Sequence, residues 1–297
     1  MTEIKHNIQL DPHGQSEGVW EFTDFFKLRA QKPSLLFLED ILQHYANIPY
    51  ENVSKIIKLN QYHHQRGPII RLPAEVMHEH ISHKLGGTCF SLTFFLHSIL
   101  AQHGFDTYPV MADMRAGRNI HCCLIVVLDE VKYLVDPGYL LTRPMELNPT
   151  KPRLFRGEFT GVELRYHVQN QHYDLFTFDK MSTKWRYRFQ DRPVPPEEFL
   201  QHWLASFGWN SMNGLCLTRI MPGGLLYVRK NFMRETTFQG KKNHNIRKNY
   251  HASIQKYFGI DPQVIEQARA ALTENLAMKM ANGEKDAPEK WLLKPVT

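Results

Sequence analysis

Two glycines run into a threonine, a cysteine and a dense apolar stretch, and no other part of the chain constrains its fold as tightly. In Lys84-Leu85-Gly86-Gly87-Thr88-Cys89-Phe90 the glycines let backbone or substrate come close. Phe90, Leu92, Phe94, Phe95, Leu96, Ile99 and Leu100 follow, a pattern too dense for a surface helix and proper to a buried one. Thr88 is the natural N-cap. Cys89 then falls in the first turn, where free backbone N–H groups and the positive end of the dipole lower a thiol pKa and favour the thiolate.

Such a cysteine needs a base, and a hairpin further on offers one. Asn119 to Leu128 is rich in β-branched and apolar residues, Asp129-Glu130 is a turn candidate, and Val131 to Asp136 reads as the returning strand. A loop of two or four residues places Leu128 in line with Val131 and His121 opposite Gly138. Asp136 then shares the face of His121 one diagonal step away. A three-residue loop would turn Asp136 to the other face. In the first register His121 can deprotonate Cys89 while Asp136 fixes the tautomer and steadies the imidazolium.

These residues resemble the arylamine N-acetyltransferases, a family with a Cys-His-Asp triad, an Arg-Gly-Gly-x-Cys motif and a Val-Asp-x-Gly-Phe-type strand end. Asn47-Ile48-Pro49-Tyr50-Glu51-Asn52-Val53 is similar to the family's Pro-Phe-Glu-Asn-Leu segment, and the three blocks agree in order and spacing. Two positions depart. Leu85 stands where the family has arginine, and Ser91 where it usually has glutamate. Glu51 would have paired with that arginine, so the local charge support is expected to differ. The resemblance implies Cys89, His121 and Asp136 as catalytic residues. It also implies an aromatic pocket at Tyr50 and Phe90, and an acyl-coenzyme A, acetyl-CoA first, as co-substrate with no permanently bound cofactor.

The 297 residues suffice for two or three packed units, and 42% hydrophobic with 22% charged residues is an ordinary globular composition. Met1-Thr2-Glu3-Ile4-Lys5-His6 lacks the apolar run of a signal peptide, and no apolar stretch approaches membrane-spanning length. Cys122 and Cys123 are adjacent and Cys216 is remote, so reduced thiols in the cytoplasm are expected rather than a disulfide framework. His78, His80 and His83 miss the His-Glu-x-x-His zinc spacing, leaving a solvated helix face and no metal site as the expectation. A metal held by Cys89, His121 and Cys123 would need a further ligand or water.

Helices are expected at Trp20 to Ala30, Ser34 to Tyr45 and Ala74 to His83, with a polar loop at Asn60 to Arg71. Short strands follow from Tyr108 to Phe189, and so many with intervening turns suggest a small barrel. Arg192-Pro193-Val194-Pro195-Pro196 is the clearest boundary. Beyond it come a helix at Glu197 to Phe207, three strands between Leu215 and Phe238, and a helix at Ile246 to Phe258. The expected fold is α+β, with a helical N-terminal domain (1–88), a β-barrel domain opening on the cysteine helix (89–192), an α/β lid (193–281) and a loose tail (282–297). The family's cysteine-proteinase-like core has the same helix-then-barrel order.

The formal charge of +6 is uneven. Between Arg229 and Lys256 eight Lys or Arg residues face one acid, Glu235. Two readings stay open for this stretch, a site for coenzyme A phosphates and a solvated basic face that serves solubility. With no recognised nucleic-acid motif, no nucleic-acid partner is expected. The function expected is ping-pong acyl transfer through Cys89 to a small-molecule amine. A relative that acylates a biosynthetic intermediate, a thiol hydrolase with the same triad and a silent binding protein are the alternatives.

Overall fold

The computed structural model describes residues 8–157 and 159–283, and most of the tail expected from 282 onward, Trp291 included, lies outside the described residues. The first part of the chain is helical: α1 (Ser16–Phe25), α2 (Leu35–Tyr45), a two-residue strand β1 (Tyr50–Glu51), α3 (Val53–Gln65), α4 (Pro73–His83) and α5 (Cys89–Gln102). Ser34 caps α2 by accepting the Phe37 N–H at 3.2 Å. Phe37, Leu38, Ile41, Leu42 and Tyr45 then form one buried stripe. The Tyr45 hydroxyl reaches the Leu92 carbonyl at 2.7 Å, tying α2 to α5. Nearly every side chain of α5 from Cys89 to Leu100 is buried, as its composition predicts. At roughly 1.5–3 kcal/mol per large apolar side chain, this helix is a principal source of core stability.

Three expectations in this region change. The first helix is Ser16–Phe25, not Trp20 to Ala30, because the chain turns at Lys27, which has a positive φ of 55°. Asn60 to Arg71 is not all loop, because α3 runs on to Gln65. A late helix covers it, and Asn60 bonds Glu274 at 2.9 Å, a tertiary partner that local polarity does not reveal. The face of α4 is not wholly solvated, since His80 is buried and its Nδ1 meets the Leu85 carbonyl at 3.0 Å.

Eight strands follow: β2 (Asp106–Met114), β3 (Gly117–Leu128), β4 (Val131–Val135), β5 (Met145–Glu146), β6 (Arg153–Arg156), β7 (Gly161–His167), β8 (His172–Phe178) and β9 (Thr183–Phe189). They form one antiparallel sheet in the order β5-β4-β3-β2-β9-β8-β7-β6. The sheet curls until its two edges meet, where Arg153 of β6 pairs with Glu146 of β5, giving a nearly closed barrel. Tyr187 and Phe189 of β9 join the barrel core. The turn between β3 and β4 has two residues, Asp129 and Glu130, both with positive φ, which suits the twist of a tight hairpin. Leu128 pairs with Val131 and Leu124 with Val135, the register expected from the sequence.

The last part holds α6 (Pro196–Ala205), β10 (Cys216–Met221), β11 (Gly224–Arg229), β12 (Phe232–Thr237), β13 (Gly240–Asn245), α7 (Tyr250–Phe258) and α8 (Pro262–Ala281). Its sheet runs β1-β10-β11-β12-β13, so a strand from the N-terminal region forms one edge. Val53, Ile56, Phe90, Trp203, Leu217 and Ile265 share a single core, which joins the first and last segments of the chain. Neither β13 nor the twenty-residue α8 is expected from the sequence. The buried face of α8 is Ile265, Ala268, Ala271 and Asn275, too small and polar to stand out as an apolar stripe.

Candidate active site

Residues Pro49 to Glu51 lie directly against the glycine pair. The Glu51 N–H donates to the Gly87 carbonyl at 2.9 Å, and Tyr50 and Gly87 form an isolated parallel bridge. A Cβ on residue 86 would lie 1.9 Å from the Pro49 oxygen, and one on residue 87 would lie 2.2 Å from Ser91 Oγ. Neither position has room for a side chain, and this close approach fixes where α5 begins. Thr88 occupies the N-cap position, but its side chain makes no capping bond. Ser91 Oγ instead donates back to the Thr88 carbonyl at 3.1 Å.

Cys89 therefore opens α5, 6% exposed, with His121 of β3 and Asp136 just past β4 beside it. His121 Nε2 and Asp136 Oδ2 are 2.8 Å apart, and the other carboxylate oxygen accepts the Tyr139 N–H at 3.0 Å. With Nε2 engaged, Nδ1 is the nitrogen left for the thiol. The imidazole packs against two aromatic rings, Tyr187 at 4.8 Å and Tyr139 at 5.3 Å between centroids, which also touch each other at 5.2 Å. Burial alone would lower the His121 pKa, but the charge and hydrogen bond of Asp136, with the Cys89 thiol, push it up to about 10. A hydrogen bond from Cys122 is the largest influence on Cys89. Together with the hydrogen bond and charge of His121 and the charge of Lys55, it holds this thiol well below its usual range against the cost of burial. The favoured state is thus a thiolate beside an imidazolium.

The missing family arginine is replaced from elsewhere in the chain. Leu85 is buried in the core, whereas Arg71, at the foot of α4, brings its guanidinium to the glycine turn. Its Nη1 donates to Ser54 Oγ and to the Gly86 carbonyl, each at 2.6 Å, and Nη2 pairs with Glu79. Glu51, fully buried, accepts from the Ser54 N–H at 2.9 Å, the Ser54 hydroxyl at 2.5 Å and the Gly86 N–H at 3.1 Å. Ser54 bridges the two charges, with Arg71 Nη1 3.9 Å from Glu51. The expectation of altered charge support is met by a different residue, arriving by tertiary contact.

Of the two aromatic pocket candidates, Tyr50 packs at the junction of two core clusters and feels the charge of Cys89, while burial pushes its hydroxyl pKa well up. Phe90 is enclosed by Phe199, Trp203 and Trp209 at centroid distances of 5.3, 6.4 and 5.9 Å. Sequence reasoning missed Arg71, Lys55 and Cys122. Lys55 is buried, donates to the Ser206 carbonyl at 3.1 Å and lies over the Phe207 ring at 4.5 Å. Burial lowers its pKa to about 8 against the opposing pull of Cys89 and Cys122. A lysine in the first turn of a helix gives no local sign of this setting. Among the described residues no helix is long and apolar enough to cross a membrane, and all four cysteines are free.

A family model described as N-acetyltransferase matches residues 34–266. Among solved structures, the arylamine N-acetyltransferase from Mycobacterium abscessus superposes with a TM-score of 0.75 at 16% identity, over 91% of this chain and 99% of that one. The enzyme from Salmonella typhimurium gives 0.70 at 15% identity, over 86% and 98%. The Bacillus cereus arylamine N-acetyltransferase, described as having a Cys-His-Glu catalytic triad, gives 0.66 at 16% identity, over 82% and 99%. At such identities these likenesses establish the fold, a barrel and helices around a papain-like core. No curated protein matches the chain.

Proposed function

Since the chain belongs to the arylamine N-acetyltransferase family and is an acyltransferase, we propose that it moves an acyl group from a coenzyme A thioester to an amine through a thioester on Cys89. The Cys89 thiolate attacks the carbonyl carbon of the donor, and the tetrahedral oxyanion is met by first-turn backbone N–H groups of α5, that of Phe90 among them. The carbon–sulfur bond to coenzyme A breaks, and His121 gives its proton to the departing thiolate. The amine then attacks the Cys89 thioester, His121 takes the amine proton, and the Cys89 thiolate leaves. Asp136 keeps His121 oriented through both halves.

The observation that carries this reading is the 2.8 Å contact of His121 with Asp136, in a histidine that also engages a thiol at a helix start. Tyr50, half-buried and close enough to feel the charge of Cys89, supplies apolar surface that fits an aromatic amine and exclusion of water from the thioester, whereas Phe90, expected to share that role, is fully buried under Phe199, Trp203 and Trp209 and serves the core instead. The free cysteines fit a reducing compartment such as the cytoplasm. Intact mass after mixing with acetyl-CoA and no acceptor tests the proposal. One acetyl group should appear on the wild type and none on Cys89→Ala. Absence of any adduct together with absence of released thiol would remove acetyl transfer. Rapid loss of the adduct in water, without an amine, would point to a hydrolase.

A further inference from the structure

Away from the triad, the end of the β7–β8 hairpin gathers two imidazoles and a carboxylate. His167 and His172 are cross-strand partners on either side of a 3-10 turn at Val168–Asn170, and Asp174 follows on the same face of β8. One ligand atom from each lies within 4.8 Å of the others. His167 Nε2 is 3.1 Å and His172 Nε2 is 3.7 Å from Asp174 Oδ2. The rings stack at 4.8 Å, so both nitrogens come to the carboxylate from one side.

Ordinary ion pairing accounts poorly for this arrangement. Both Nε2 atoms are buried, yet neither makes an aligned hydrogen bond despite the nearby oxygen. His172 is itself 5% exposed. An imidazole nitrogen with no hydrogen-bond partner can offer a metal the lone pair that a ligating histidine requires. Asp174 is held from behind, with Trp185 Nε1 and Arg188 Nε donating to Oδ1 at 2.9 and 3.1 Å. Arg188 Nη2 lies 3.3 Å from Oδ2, which retains a lone pair toward the histidines. Donors of this kind orient a ligating carboxylate.

We propose that His167, His172 and Asp174 form a binding site for a first-row divalent cation, zinc before the others, which clips the end of the β7–β8 hairpin. Two imidazole nitrogens and one carboxylate oxygen are a borderline donor set that suits zinc and excludes calcium or magnesium. Bonds of about 2.0–2.2 Å in tetrahedral geometry put neighbouring ligand atoms roughly 3.3 Å apart. The distances of 3.1 and 3.7 Å bracket that value.

Zinc chloride titrated against a chromophoric chelator tests the site in metal-stripped wild type, Cys89→Ala and His167→Gln/His172→Gln. Wild type and Cys89→Ala should each bind one equivalent, and the double variant should bind at least a hundredfold more weakly. Zinc should also raise the melting temperature of wild type but not of the double variant. Binding that survives in the double variant, or vanishes in Cys89→Ala, would overturn the proposal, as would wild type that takes up no zinc. Zinc-edge absorption on the wild type needs no variant to fold. Two imidazoles with oxygen would support the site, and sulfur ligation would sink it.

Discussion

A methyl group on residue 138 would lie 2.8 Å from His121 Cε1, 3.2 Å from Cys89 Cβ and 3.3 Å from Asp136 Oδ1. The three side chains meet around the one residue that has no side chain to oppose them. Gly138→Ala is therefore expected to displace His121 and lower kcat/KM by about a hundredfold, with the melting temperature nearly unchanged. A variant as active as wild type would show that the histidine has slack. Protonation is equally local. Asp136 is the chief influence raising His121 to about 10, so Asp136→Asn should lower the imidazole pKa and, with the imidazolium gone, raise that of the thiol. Alkylation of Cys89 by iodoacetamide reads this directly. In wild type it should stay fast down to pH values well below an ordinary thiol pKa, and in Asp136→Asn it should fall off at higher pH. Lys55→Met should move the profile in the same direction by less than about one unit, because Lys55 acts through charge alone. Cys89, His121 and Asp136 were legible because helix start, strand face and turn length are local properties. Lys55 and Cys122 were not, because their proximity to Cys89 depends on how α3 and β3 pack.

At the scale of elements, the glycine turn is where β1, α3, α4 and α5 are fastened together. The fastening is a buried charge network in which Arg71 serves Ser54, Gly86 and Glu79 while Ser54 serves Glu51. Removing one partner of such a network leaves a buried carboxylate uncompensated. Arg71→Met is thus expected to cost about 3–5 kcal/mol by urea denaturation. Arg71→Lys should recover only part of that loss, because an ammonium cannot reproduce a fork that bonds on two sides. A loss under about 1 kcal/mol would mean that water takes the place of the guanidinium. The same comparison explains what sequence reading could supply. The β3–β4 register followed from alternation and turn length, both written in consecutive residues. The substitution of Arg71 for the residue at 85, the extension of α3 to Gln65 and the whole of α8 each depend on a distant partner.

For the whole molecule, the uneven charge acquires a place. The edges of the barrel meet at β5 and β6, but the second sheet ends in β13, every residue of which is exposed. An open edge of unpaired backbone groups invites another chain, and lysines along it oppose such pairing. Lys241 and Lys242 lie on this strand, and Lys241 also pairs with Asp179, beyond the end of β8, at 2.5 Å. An exposed ion pair contributes little stability, so the larger consequence of these lysines is solubility. Replacing both with threonine removes the charge and raises strand propensity. Lys241→Thr/Lys242→Thr is therefore expected to self-associate at concentrations where wild type stays monodisperse by light scattering, and to do so less at low protein concentration. Its KM for acetyl-CoA, measured dilute, should stay within about twofold of wild type, since the field of two exposed surface charges is largely screened at physiological salt. A KM raised by tenfold or more with no change in scattering would reverse the assignment. It would place the coenzyme A phosphates on β13 and leave the edge to be protected by its other polar residues.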